Sequence, residues 1–319
     1  MKKRFDIVGY DTPNIDLALV MEHFPEMNSG TKVEEVSWQG GGKVASGLVT
    51  AGRLGATSAI IGTVGDDNYG KFCRDDFVRH NVNVDQLLMR KDKTTSLDVI
   101  LSELKNKTRS FVYHVGTAEP IACNEVPVSL LGDCEYFYYS QFTPLTKYMS
   151  QLARSKGAKI FVDADNPRGD IRARIPDIDV FIGSEYVYKD FFNTGSVEEN
   201  CRRIMEQGPQ IVVFTFGDKG CAGIGPDGYF EVPAYRVAVV DTVGAGDDFH
   251  GAYLVGLVNN CSAEKAARWA SAVSAIKCTR IGGRAGIPDL ETLQKFLKTG
   301  VIDYEEIDKR VKFYQNPFA

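Results

Sequence analysis

The feature that most limits what this chain can fold into is a repeated alternation of strand-length apolar runs with helix-length segments. The runs are "FDIVG", "SAIIGTVG", "YFYYSQ", "KIFVDAD", "DVFIGS" and "IVVFTFG", and helical stretches fall between them at about 44–54, 69–80, 147–156 and 197–207. Strand, helix, strand in this order predicts βαβ units and a mostly parallel sheet. The runs are apolar throughout instead of alternating, so each strand should be buried on both faces and helices should cover both sides. The expected fold is α/β, a three-layer α/β/α sandwich forming one unit over residues 1–319.

Two regions depart from that rhythm. Residues about 11–38 contain "NIDLALVMEHFPE" and "TKVEEVSW" without a helical period. Residues about 93–116, "KTTSLDVILSELKNKTRSFVYHVG", alternate like a hairpin that turns at "KNKT". Paired together, the two excursions would make a small β-sheet lid over the mouth of the large body; left apart, they are two surface hairpins. After Ala234 the sequence reads as helical, through 246–259, "SAEKAARWASAVSAIKCTR" and "PDLETLQKFLKTG".

Charge and cysteine usage narrow the function. A formal charge of −5 supplies no basic field, so nucleic acid is not an expected partner. No apolar run reaches membrane-spanning length, and "MKKRFDIVGY" lacks the apolar core of a secretion signal. The seven cysteines include no C-x-x-C pair, which argues against a disulfide framework or zinc site and for a reduced, cytoplasmic protein.

Two glycine turns are the chemical landmarks. "QGGGKVASGLVTAGRLGA" fails the Walker pattern, because Ser37 stands where the first glycine belongs and Val44 follows Lys43. It fails the dinucleotide fingerprint as well. Gly40, Gly41 and Gly42 would still let a ligand touch the backbone, unless they form only a flexible turn. The second turn, Gly244-Ala245-Gly246, follows the apolar run "RVAVV" and opens a helix with the apolar face Phe249, Ala252, Tyr253 and Leu257. Strand, glycine turn and helix together present amides to a phosphate. The acids Asp241, Asp247 and Asp248 around it must then hold a cation, cap the helix or move a proton, and local pattern does not choose between Asp247 and Asp248 for the last of these.

In family order, "NID", "GGGKVASGLVTAGRLGA", "GTVGDDNYG", "TFGDKG" and "DTVGAGDDFHGA" resemble the motifs of the ribokinase-type (PfkB) carbohydrate kinases, from about residue 5 to 290. The tail "KCTRIGGRAGIPD" resembles a subset of them. The resemblance implies an ATP-dependent kinase of a sugar or sugar-like alcohol, with a nucleoside kinase, a phosphosugar kinase or a catalytically silent sugar-binding regulator as alternatives. It makes Asp247 the general base and the amides of Gly244, Ala245 and Gly246 an anion hole; Asp248 then reads as a solvated first-turn acid. Asn14, Asp16, Gly41, Gly42 and Lys43 become substrate contacts, Lys43 being otherwise a surface cation. Thr215, Gly217 and Gly220 would line the nucleotide groove.

ATP and Mg²⁺ are the implied cofactors, and Asp241 with the Val243 carbonyl implies a K⁺ site, the alternative being that Asp241 simply orders the turn. Three departures stand out. The serine that completes the cation shell falls on Gly286. The magnesium-side N-x-x-E becomes Ser184 and Val187, with Glu185 nearby. The sugar-contacting asparagine after the first glycine motif is Ser46. Arg280 and Arg284 are candidates for a substrate anion or for ATP phosphate, the alternative being that they bond loop carbonyls, and Arg90 or Arg109 for a phosphosugar. His114 and His250 lie near enough to be considered, though a packed histidine is the plainer reading of each. The resemblance implies a homodimer through the lid, with which the apolar faces of "LDVIL" and "FVYHV" agree.

Overall fold

The structure is a computed structural model that describes residues 3–106, 108–167 and 169–318. Its strands in chain order are β1 (Phe5–Asp11), β2 (Ile15–Met21), β3 (Val33–Gly40), β4 (Ser58–Gly65), β5 (Val82–Arg90), β6 (Leu97–Glu103) and β7 (Thr108–His114). They continue as β8 (Cys134–Tyr139), β9 (Lys159–Ala164), β10 (Val180–Ser184), β11 (Ile211–Thr215), β12 (Cys221–Gly225) and β13 (Gly228–Val232).

Nine strands form one sheet in the order β13-β12-β11-β10-β9-β8-β1-β4-β5. It is parallel from β11 to β5, and the antiparallel hairpin β12–β13 closes one edge. Neighbouring residues of one strand enter opposite cores. Ile7 and Ile60 pack with the helices Lys43–Arg53, Ala245–Val258 and Ala263–Lys277, while Val8 and Ile61 pack with the other helical layer. A period-two strand covered on both sides explains why these runs are apolar throughout.

The two excursions join into a second sheet of order β3-β2-β6-β7. β2 pairs with β3 and β6 with β7 as antiparallel hairpins, and β2 with β6 runs parallel between them, aligning Asp16 with Asp98. Lys107, in the expected "KNKT" turn, lies outside the described residues. The underside of this lid is apolar: Ala18, Val20 and Ile100 pack with Val243 and Ile281, tying the lid to the second glycine turn.

Some expectations need correction. The run Arg236–Val240 is not a strand: the amides of Val240 and Asp241 donate to the Cys278 carbonyl at 2.8 and 3.1 Å instead of entering a ladder, and Val239 and Val240 are exposed. The helix after the turn is buried nearly all round, not on one face, because it lies between two others. The antiparallel edge, β5 and the C-terminal helix Glu305–Gln315 were not anticipated.

Candidate active site

The site lies at the carboxyl ends of β1, β8 and β9, where the chain reverses its direction of travel across the sheet and where open parallel sheets place ligands. Two helices crossing at close range bring the glycine turns together. A Cβ on Gly251 would sit 2.2 Å from the Gly47 carbonyl oxygen, so the helices that open at Lys43 and Ala245 meet backbone to backbone. Between turns and lid is a cavity of about 820 Å³.

Of the residues singled out from the sequence, Asn14, Asp16, Gly42, Lys43, Val243, Gly244, Gly246 and Asp247 line this cavity. Asp11, Asp98, Arg109 and Asp165 line it as well. Of these only Arg109 had a reason to be noticed beforehand, because the others depend on which strand ends converge.

On the lid side, Asn14 donates to Asp16 Oδ1 at 2.6 Å. Burial, reinforced by the facing Asp98 carboxylate, pushes Asp16 up to about 7. Gly41 is glycine because a Cβ there would lie 2.3 Å from Asp16 Oδ1. Asp11, at the end of β1, accepts from the Ala45 amide at 2.9 Å and so fills the start of the Lys43–Arg53 helix from outside it. Lys43 pairs with Asp165 at 2.5 Å. Burial works against its ammonium, but Asp163, Asp165 and Asp247 outweigh that and hold it above the ordinary lysine range.

Asp247 is half-buried in the first turn of the Ala245–Val258 helix. Desolvation, then the Asp163 carboxylate, raise its pKa well above the usual range, with Lys43 opposing. The turn is held from behind by its carbonyls. Lys277 Nζ donates to the Asp241 carbonyl at 3.1 Å and to the Val243 carbonyl, and Ser274 Oγ to the Ala245 carbonyl at 2.7 Å. His250 Nδ1 lies 2.6 Å from the Gly246 carbonyl. A carbonyl takes only a donor, so Nδ1 carries the proton, and burial pushes the ring down to about 4, which keeps it neutral. Its Nε2 faces Asp163 Oδ1 at 3.4 Å, and that carboxyl is itself pushed up to about 7 by burial. His250 is thus a packed histidine that orients the turn. In a trans peptide the N–H points opposite the preceding C=O. Carbonyls drawn back at Val243 and Ala245 therefore turn the Gly244 and Gly246 amides the other way, and both glycines line the cavity.

Several expected residues lie elsewhere. Asp248 is fully buried, not solvated: Thr50 Oγ1 donates to it at 2.7 Å, and burial raises its pKa well above the usual range. Ser46 Oγ accepts from Arg284 Nε at 3.3 Å and does not line the cavity. Arg284 is fully buried, ion-paired with Asp76 at 2.7 Å and bonded to the Gly41 carbonyl at 2.9 Å, so it clamps a loop and meets no substrate anion. Arg280 pairs with Asp308, and Arg90 grips Glu125 through two bonds of 2.6 Å. His114 is exposed on β7 and does not line the cavity. Thr215, Gly217 and Gly220 stand at the end of β11, farther along the same sheet edge.

Ser184 Oγ donates to the Asp165 carbonyl at 2.5 Å and caps the helix after β10. Glu185, beside it, pairs with Lys189 at 2.8 Å. Among the described residues no three His, Cys, Asp or Glu side chains converge as a metal cage, and no helix is long and apolar enough to cross a membrane.

Comparison with known proteins gives one consistent family. The sequence pattern of the pfkB family of carbohydrate kinases matches residues 4–290. A nucleoside kinase of Methanothermobacter thermautotrophicus is 22% identical over 93% of this chain and 97% of its own. Fructokinase-2 of Zea mays is 25% identical over 81% of this chain and 84% of its own. The structure of Arabidopsis thaliana ribokinase complexed with ribose and ATP superposes with a TM-score of 0.77 at 19% identity, covering 93% of this chain and 99% of that one.

Proposed function

Because the chain belongs to the pfkB family of carbohydrate kinases, we propose that it transfers the γ-phosphoryl group of ATP to a hydroxyl of a sugar or sugar-like alcohol. Asp247 is the general base, and the turn 244–247 is the anion hole. The observation that carries this reading is a single cavity lined by Asp247, the two turn glycines, and the acceptor-type side chains Asn14 and Asp16.

With the sugar held through other hydroxyls at Asn14, Asp16 and Asp98, the reacting hydroxyl gives its proton to an Asp247 carboxylate oxygen as its oxygen attacks the γ-phosphorus and the bond to the ADP oxygen breaks. A carboxylate whose pKa is raised by burial is, once ionised, a stronger base than one in water. The Gly244 and Gly246 amides, at the positive end of a helix, take up charge on the transferring group. The nucleotide extends toward the ends of β10 and β11, along Thr215, Gly217 and Gly220. Mg²⁺, when bound, neutralises charge on the β- and γ-phosphate oxygens; Asp165 and Glu185 are hard oxygen donors able to hold its waters, and such an ion needs no all-protein cage. Lid closure excludes water from the transfer.

Arg109 favours a second acceptor class. It reaches from β7 into the cavity and donates to the Thr242 hydroxyl, which would suit the phosphate of a phosphosugar. The exposed Phe111, Val112 and Tyr113 on the same edge strand support a lid-to-lid homodimer, which a molar mass in solution tests.

The decisive experiment is ADP release measured over pentoses, hexoses, polyols, nucleosides and sugar phosphates, with the parent and Asp247→Asn. The variant should lose about 10²–10⁴ in kcat while still binding ATP; turnover at the parental rate would remove Asp247 from the role of base.

A further inference from the structure

We propose that the Lys277 ammonium replaces the monovalent cation beside the anion hole, so that this kinase needs no K⁺. The inference rests on the kinase reading above and concerns the back of the same turn. A K⁺ ion there would need the carbonyl oxygens of Asp241 and Val243 as its shell. Both already accept from Lys277 Nζ, at 3.1 Å in the case of Asp241. Lys277 is fully buried at the end of the Ala263–Lys277 helix, so its charge has no water to turn to.

The surrounding groups agree. The Asp241 carboxylate is occupied in ordering the loop: Oδ1 accepts from the Val243 amide at 3.0 Å and Oδ2 from the Gly282 amide at 2.8 Å. Gly286 offers no hydroxyl, and a Cβ there would lie 2.3 Å from the Lys277 carbonyl oxygen, so a serine would not fit without displacing the lysine's backbone. A buried cation is tolerated when oxygens surround it, and an ammonium is a compact point charge with three donors, close in kind to a carbonyl-bound alkali ion. Its positive charge lies behind the peptide units whose amides face the phosphoryl position, and it keeps their carbonyls withdrawn. Lys277 is therefore a positioning residue: it acts through the Val243–Gly244 peptide and touches no reactant.

The test compares KCl, NaCl and tetramethylammonium chloride at one ionic strength, reading both turnover and melting temperature. The parent should show the same rate and the same Tm in all three. Lys277→Ala, which leaves a carbonyl-lined space, should lose about 10² in kcat in tetramethylammonium, the size of one lost anion-hole donor. K⁺ or NH₄⁺ should restore the rate, and K⁺ should raise the Tm of this variant without nucleotide or acceptor, as binding to the folded state alone requires. Lys277→Gln keeps donors for the carbonyls and removes the charge; it should melt like the parent and turn over slowly in every salt.

Activation of the parent by K⁺ overturns the proposal. So does parental turnover by Lys277→Gln, or a Lys277→Ala protein whose rate and Tm ignore every cation. Should Lys277→Ala fail to fold, the parent's salt series and Lys277→Gln still decide. If no acceptor supports turnover in any salt, the kinase reading fails while the Tm pattern still judges the lysine.

Discussion

The two glycine turns open in the same way and are finished in opposite ways. Each has a glycine at positive φ just before its helix, 99° at Gly42 and 74° at Gly244. At the first, an acid from another element takes a helix amide: Asp11 accepts from Ala45 at 2.9 Å. Its carbonyl at Gly41 is held by Arg284, whose charge is balanced by Asp76. At the second, no side chain among the described residues caps the helix, and the donors of Lys277, Ser274 and His250 go to carbonyls instead. If the second turn is the anion site proposed above, a glycine turn before a helix makes one only where no carboxylate has already taken its amides. On the proposed reading, the first turn presents Lys43 and the acceptor contacts, and the second receives the phosphoryl group.

The largest effect should come from making the second turn resemble the first. Gly244→Asp places a carboxylate at the open amides and should lower kcat by at least about 10³, more than one lost donor costs. Gly244→Ala is its control. It carries the same positive-φ strain, of about 1–3 kcal/mol, and a Cβ 2.8 Å from Gly283 Cα, without the charge. Equal turnover of the two variants would mean that the phosphoryl group sits elsewhere. Next comes the clamp on the first turn. Arg284→Met leaves Asp76 buried without its main cation and should cost about 3–5 kcal/mol, a fall in melting temperature of about 10 °C, visible in a thermal scan.

Much of this contrast was written in the sequence, and the rest was not, for a physical reason. The parallel sheet, the lid, and the cluster Asn14, Asp16, Lys43, Gly244 and Asp247 follow from local patterns and from motifs whose residues lie close together in sequence. What finishes each turn comes from far away. Asp11 and Ala45 are separated by 34 positions, Arg284 and Asp76 by 208. Asp248 shows the same limit from the other side. As the neighbour of Asp247 it looked solvated, and only the packing of the helix from Lys43 to Arg53 places Thr50 against it. Lys277 sat in plain view within an amphipathic helix, yet its partners are carbonyls, which carry no side-chain signature. The sequence signal that points to it is the missing serine at Gly286 together with a lysine where that helix ends.

A pH effect should separate the acceptor side from the rest. Asp16 has a folded pKa raised to about 7. A raised value means that the folded state holds the proton more tightly than the unfolded chain does, so the stability it gives is complete below about 4 and is lost as pH rises through 7. The melting temperature of the ligand-free protein should fall across that window, and Asp16→Asn should flatten the fall by a few degrees. Asp163, also raised to about 7, keeps the slope from vanishing. Sugar hydroxyls donating to ionised Asp16 should reverse the trend for binding, making acceptor affinity improve toward pH 7. An unchanged slope in Asp16→Asn would mean that this carboxyl is hydrated in solution.

The smallest change tests the contrast from the first turn. Asp11→Ala empties the amides that Asp11 now fills and should cost about 0.5–2 kcal/mol, the range for losing a helix cap. Folding alone would then make the first turn resemble the second: amides at a helix start, a lysine beside them and no carboxylate in between. If occupancy by an acid is what distinguishes the turns, inorganic sulfate should raise the melting temperature of Asp11→Ala more than that of the parent, because the vacated amides and Lys43 now face an anion with nothing to compete. If sulfate stabilises both proteins alike, an empty helix start is not enough. The difference between the turns would then lie in the donors drawn onto the second turn's carbonyls, with Lys277 carrying the greater share.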